Sequence, residues 1–225
     1  MNLAMQTNLA KIGAVPSGKD QIREQNERLI LESAEKVFSI YGFEGARTRL
    51  IAKEARLPKA NIHYYFETKS NLYECVLKNM LRDWMSAARM FKAQDNPSIT
   101  LTNYISAKMD LARQRPYGSR IWAKEIMSGA PVMEKELATT LKQWVDECVT
   151  TINQWVAEKK IVPVDAKALL YMIWATTQHY ADFDRQIVVL NDGKALSDPA
   201  FKEKKRQVIK LILAGIVLHP DTIIE

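Results

Sequence analysis

Thr48-Arg49-Leu50-Ile51-Ala52-Lys53-Glu54-Ala55-Arg56-Leu57-Pro58-Lys59-Ala60-Asn61-Ile62-His63-Tyr64-Tyr65-Phe66-Glu67-Thr68-Lys69 is the stretch on which the fold turns. Leu50, Ile51 and Ala55 repeat at helical spacing and give one short helix an inner face; Ile62 and Phe66 do the same for a second. Between them Arg56-Leu57 makes a tight turn. Pro58 suits the first position of the following helix, where its missing N–H would be unpaired anyway. Two short helices joined by a turn of three or four residues, behind a longer supporting helix, match the helix-turn-helix plan.

The supporting helix lies upstream. Leu29, Ile30, Ala34, Val37, Phe38 and Tyr41 recur at three- and four-residue steps, so a helix is predicted over 22–41, ended by Gly42. Thr48 is the expected cap of the second helix and Thr68 of a long fourth one, 69–92; the third is expected over 58–64. Downstream, Asp95-Asn96-Pro97, Arg115-Pro116-Tyr117-Gly118, Ser128-Gly129-Ala130-Pro131, Val162-Pro163, Asn191-Asp192-Gly193 and Ser197-Asp198-Pro199 punctuate segments that all carry the helical period. The expected fold is all-α: an N-terminal three-helix helix-turn-helix domain and a C-terminal helical bundle, about nine helices in total. Residues 1–20, without clear periodicity, are expected as a flexible arm, 21–68 as the helix-turn-helix domain and 69–225 as a ligand-binding and dimerisation domain.

The 225 residues are 47% hydrophobic and 26% charged, enough to bury a sizeable core and unlike a disordered or collagenous chain. Cys75 and Cys148 lie far apart, which excludes a disulfide framework and fits reduced thiols in the cytoplasm. The longest apolar run, 208–218, contains Lys210 and falls short of the roughly 20 residues a spanning helix needs, so no membrane partner is expected. His63, His179 and His219 have no second ligand at metal spacing, no catalytic motif is present, and neither an enzymatic activity nor a cofactor is expected. Lys202, Lys204, Lys205 and Arg206 read as a solvated helix start rather than a second basic patch.

Charge sharpens the helix-turn-helix reading. Between Gly45 and Lys69 six bases (Arg47, Arg49, Lys53, Arg56, Lys59, Lys69) face two acids (Glu54, Glu67), concentrating most of the chain's net charge of +6 where phosphate contacts would be made. Asn61, His63, Tyr64 and Tyr65 share the short helix and can donate to phosphates or read base edges of double-stranded DNA. Ile30-Leu31-Glu32-Ser33-Ala34-Glu35-Lys36-Val37-Phe38, Tyr41-Gly42-Phe43-Glu44-Gly45, Ile51-Ala52-Lys53-Glu54-Ala55 and Ile62-His63-Tyr64-Tyr65-Phe66-Glu67-Thr68-Lys69 with Leu72 closely resemble the TetR family of bacterial one-component regulators. The resemblance implies a repressor with Tyr64 and Lys69 on phosphate. Lys59, Asn61 and His63 are the expected base readers, with Arg47 and Thr48 at the start of the second helix also on DNA. Arg56 stands where that family usually has glycine. Either this position takes positive φ, at a strain of about 1–2 kcal/mol, or Pro58 restricts Leu57 and the turn is built differently.

A second set of motifs extends the resemblance into the C-terminal half. Ser119-Arg120, Ser128-Gly129-Ala130-Pro131 and above all Met172-Ile173-Trp174-Ala175-Thr176-Thr177-Gln178-His179-Tyr180-Ala181-Asp182-Phe183 resemble the branch of the family that governs pyrimidine utilisation, which implies uracil, thymine or a related cyclic imide or ureide as effector. Tyr171, Trp174, Gln178 and Ala181 share one helical face. A glutamine within an apolar face is expensive unless paired, and its carboxamide complements the lactam edge of a pyrimidine-like ring. Trp174 is placed to stack on that ring, with Trp84 and Arg120 closing the pocket. On spacing alone the same residues serve equally as plain core, with Gln178 bonded to neighbouring backbone; the resemblance favours the pocket. Finally, Val208, Ile209, Leu211, Ile212, Leu213, Ala214, Ile216, Val217 and Leu218 make the last helix apolar nearly all round. A homodimer through the last two long helices would bury it and pair two reading heads on a palindromic operator. A helix internal to one chain is the other way to bury it.

Overall fold

The structure, a computed structural model, describes residues 18–87 and 95–216; the expected arm lies outside them except for its last three residues, which are helical. The elements among the described residues are helices: α1 Gly18–Gly45, α2 Thr48–Ala55, α3 Lys59–Phe66, α4 Lys69–Ala87, α5 Pro97–Gln114, α6 Pro116–Met127, α7 Glu134–Glu136, a π-helical turn Leu137–Leu141, α8 Lys142–Ala157, α9 Ala166–Asp182, α10 Asp184–Leu190 and α11 Asp198–Ala214. Among the described residues no helix is long and apolar enough to cross a membrane.

The sequence signals act where the chain turns. Gly42 breaks α1 at φ 68, ψ 174, a conformation only glycine adopts freely. Asn96 caps α5 by accepting from the amides of Ser98 and Ile99, Asp165 caps α9 through Ala168, and Ser197 caps α11 through Ala200. Thr68 accepts from Asn71 N at 3.0 Å. Thr48 does not cap α2: it is the first residue inside the helix, and the cap position belongs to Arg47, whose side chain makes no capping bond. Pro58 likewise stands one residue ahead of α3, as its cap.

Arg56 resolves the two ways of building the turn. It sits at φ 55, ψ 37, in the left-handed region, while Leu57 N–H reaches Ala52 O at 3.0 Å. This is a Schellman closure with arginine where glycine is usual. Arg56→Gly should therefore raise the unfolding free energy by about 1 kcal/mol in urea titration, and Arg56→Ala should not, because alanine keeps the Cβ clash. Equal stability of the two variants would overturn this account.

Two cores hold the helices. The first joins Ile30, Ala34 and Phe38 of α1, Ile51 and Ala55 of α2 and Ile62 and Phe66 of α3 to Leu72, Val76, Leu77, Met80 and Trp84 of α4 and Ile121 and Trp122 of α6. The second joins Leu101, Tyr104, Ile105 and Met109 of α5 to Ile152 and Trp155 of α8, Leu169, Leu170 and Ile173 of α9 and Phe201, Val208, Ile212 and Leu213 of α11. The last helix is thus half internal. It is not buried all round within one chain: Leu211 is 73% exposed, and Val217 and Leu218 lie outside the described residues. Two members of the basic run on α11 are engaged, Lys205 with Asp110 of α5 and Arg206 with Glu203 one turn back.

Candidate functional site

One end of the molecule carries the basic face. On α3, Ile62 and Phe66 are sunk in the first core, and the residue directly opposite them, Tyr64, is 72% exposed. Lys59 and His63 are exposed, and Asn61 and Tyr65, four residues apart, form a half-buried flank. His63 Nδ1 lies 3.2 Å from the Glu67 carbonyl oxygen. That oxygen can only accept, so Nδ1 carries a proton towards it. Tyr65 turns towards α1, its hydroxyl accepting from Asn26 at 3.4 Å, and its ring packs edge-on to Tyr64.

Arg47, Arg49, Lys53, Arg56 and Lys59 are all exposed around α2 and the turn, while Thr48 is half-buried. Glu54 is neutralised by Lys36 at 2.6 Å, so the face is more positive than its residue count suggests. Lys69 is partly spent on structure: its amine donates to Phe43 O at 2.8 Å and sits 4.3 Å above the Phe43 ring, pinning the α1–α2 turn. The uncapped first-turn amides of α2 suit a phosphate oxygen.

Between the two cores lies a cavity of about 50 Å³ lined by Leu81, Trp84 and Met85 of α4, Tyr104 and Lys108 of α5, Trp122 of α6, Leu141, Trp144 of α8, and Trp174 and Gln178 of α9. As it stands it has room for a few waters, at roughly 10–15 Å³ each. Its aromatic wall is organised: Trp84 meets Trp122 edge-on at 5.1 Å, Trp174 stacks with Trp144 at 6.1 Å, and Trp174 Nε1 donates to Tyr104 Oη at 2.8 Å. The Gln178 carboxamide makes no hydrogen bond among the described residues. Trp84 Nε1–H is buried and also lacks an acceptor there.

Three of the four expected pocket residues, Trp84, Trp174 and Gln178, thus line one cavity; Arg120 does not. Its guanidinium is held away by the Ala181 carbonyl at 3.1 Å and the Asp184 carboxylate at 2.9 Å. The cation at the cavity is Lys108 instead, 3% exposed, with its amine 4.4 Å above the Trp84 ring. The α5 pattern carried that signal: Leu101, Tyr104, Ile105, Lys108, Met109 and Ala112 are successive members of one buried face, so a lysine at 108 must enter the interior. Burial pushes its pKa down to about 7, with the Asp182 carboxylate opposing the shift.

The cavity is tied to the basic face through α6. Ser119 donates to Asp182 at 2.6 Å, beyond Gln178 on α9, and Lys124 donates to the Ser39 carbonyl of α1 at 2.6 Å. Glu35 of α1, 7% exposed, accepts from Gly118 N at 2.9 Å and from Arg115, which also pairs with Asp83 of α4. Gly118 permits this close approach: a Cβ would lie 2.7 Å from Met80 Sδ and 2.9 Å from Glu35 Oε1, and these side chains would have to shift to admit it.

Comparison with known proteins agrees with this layout. A family model described as bacterial regulatory proteins, tetR family, matches residues 30–76, and one described as YcdC-like protein, C-terminal region, matches 77–219. The HTH-type transcriptional regulator RutR of Escherichia coli is 35% identical over 190 residues, covering 84% of this chain and 90% of the relative. RutR of Shigella flexneri gives the same figures. The putative transcriptional regulator SCO4942 of Streptomyces coelicolor shares the fold at a TM-score of 0.65 and 20% identity, covering 84% of this chain and 97% of that one. AibR, solved with isovaleryl coenzyme A and operator DNA, superimposes at 0.61 with 16% identity, covering 83% and 97%.

Proposed function

This chain belongs to the TetR family of bacterial DNA-binding regulators, and on that premise we propose that it is a homodimeric repressor released from a palindromic operator by a small planar effector, uracil, thymine or a related cyclic imide or ureide. The division of labour is 21–68 for reading DNA and 69–225 for sensing and pairing. The observation that carries the effector reading is the cavity at the seam of the two cores, with aromatic walls and an unengaged Gln178 carboxamide. Gln178 would meet the lactam edge of the ring and Trp174 its face. A ligand in that seam acts by binding one spacing of the two cores better than another, and it shifts operator affinity by no more than that difference.

Pairing through α9 and α11 is supported by apolar side chains left in solvent on both: Tyr171 and Met172, 54% and 45% exposed, and Leu211. Two such protomers present two α3 helices to one duplex. Calorimetric titration with uracil and thymine, followed by operator binding with and without the bound ligand, tests the whole reading. Binding that leaves operator affinity unchanged would refute the release mechanism.

The DNA assignments separate by their salt dependence. Lys69→Ala should weaken binding to all sequences alike and flatten the slope of log affinity against log salt by about one unit, whereas changing Asn61 should alter which sequences bind. Because Lys69 also donates to Phe43 O, its melting temperature is the control for a fold effect. An unchanged slope removes Lys69 from the phosphate contacts.

A further inference from the structure

Two polar groups at the cavity wall are left without partners, and both are donors. Trp84 Nε1–H is buried and finds no acceptor among the described residues. The Lys108 amine makes no hydrogen bond and no ion pair there, resting only over the Trp84 ring. A donor buried without an acceptor is costly, as Trp84 Nε1–H is, and an occupant offering acceptor oxygens satisfies it together with the Lys108 amine. Tyr104 Oη is occupied by Trp174 Nε1–H, which leaves Gln178 to meet the remaining donor and acceptor of a ring.

We propose that Lys108 selects the effector: with Trp84 Nε1–H it demands ring carbonyl oxygens, so the cavity accepts a cyclic dione and rejects the analogue carrying an exocyclic amine, and binding draws a proton from solvent onto the lysine. This rests on the effector reading above. The amine accepts the proton to become an ammonium that donates to the carbonyl; nothing else is transferred. Since burial holds the Lys108 pKa near 7, much of it is neutral in mildly alkaline solution. A carbonyl oxygen that favours the charged form then makes ligand affinity fall as pH rises through that value. The titratable groups around Lys108 are Asp182 on α9, bonded to Ser119 of α6, and Tyr104 one turn away on α5. Arg120 and His179 also act on Asp182, each favouring its charged form. Burial pushes the Tyr104 phenol well above its usual range, so it stays protonated throughout the window. His179 is exposed and common to wild type and variant, so its contribution cancels in their comparison.

The test is calorimetry of uracil and cytosine against the wild-type protein from about pH 6 to 8.5, in buffers of different ionisation enthalpy, repeated with Lys108→Met. Wild type should take up a proton on binding uracil at the alkaline end, lose affinity with rising pH and ignore cytosine. Lys108→Met keeps the shape and removes a buried amine. It should melt cooperatively, with a Tm advantage over wild type that is larger at pH 7 than at pH 10. Between those values the unfolded chain binds the lysine proton and the folded one does not, so wild type gains stability with rising pH. The variant should bind uracil roughly tenfold more weakly or worse, with no pH slope from this residue. Equal uracil affinity in the two proteins, or wild-type binding without proton uptake, overturns the role of Lys108 and leaves the effector reading standing. Failure of wild type to bind uracil, thymine or any related dione overturns both.

Discussion

Glu35→Ala should lower the unfolding free energy by about 3 kcal/mol, the sum of an orphaned buried amide and a lost charge-assisted pair. Glu35 is the only acceptor among the described residues for Gly118 N–H, which the close approach of α6 to Met80 shuts away from water. Arg115 keeps Asp83 as a second partner, so the loss stays short of that expected for a fully stranded buried guanidinium. Glu35→Gln should recover part of it, because an amide oxygen still accepts from Gly118 but no longer balances Arg115. Urea unfolding of the three proteins measures the series. A cost below about 1 kcal/mol for alanine would mean that the α1–α6 junction admits water and that the bond is of surface strength.

Trp174→Ala should lose about 3 kcal/mol of stability and the effector together. The indole stacks on Trp144 and donates to Tyr104, whose hydroxyl lies in the second core, so truncation opens a cavity beside a phenol deprived of its donor. Gln178→Leu is the companion variant: it exchanges an unengaged amide for an apolar group of similar size and should leave the melting temperature nearly unchanged. It should still weaken uracil binding by about 1–3 kcal/mol, because the lactam edge is left unpaired. Comparing Tm and uracil affinity across the pair separates packing from recognition. Uracil binding to Gln178→Leu at wild-type strength would remove that residue from the site.

The helix-turn-helix was legible because its signals are local. Ile62 and Phe66 against Lys59, His63 and Tyr64 is a contrast within eight residues, and the breaks at Gly42, Asn96 and Ser197 are set by the chemistry of single side chains. The same local logic put Gln178 on the face that lines the cavity and would have put Lys108 there had the α5 face been followed residue by residue. Arg120 could not be placed that way, since its partners Ala181 and Asp184 lie more than sixty residues on. Nor does composition show whether Arg56 takes the left-handed conformation, a matter of how α2 must close onto Leu57. The division into two cores was hidden too, because α4 looks like one uninterrupted helix yet carries the wall of the cavity at its far end.

That first core runs without a break from α3, through Phe66, Leu72, Val76 and Met80, to Trp84 and Trp122 at the cavity. The near wall of the cavity and the scaffold of α3 are therefore one packed body, and a change in either tryptophan is felt by both. The far wall, Tyr104, Trp144, Trp174 and Gln178, belongs to the other body. On the proposed reading, substitutions confined to that far wall change the ligand chemistry without touching the packing that carries α3, which makes the seam the line along which the two tasks come apart.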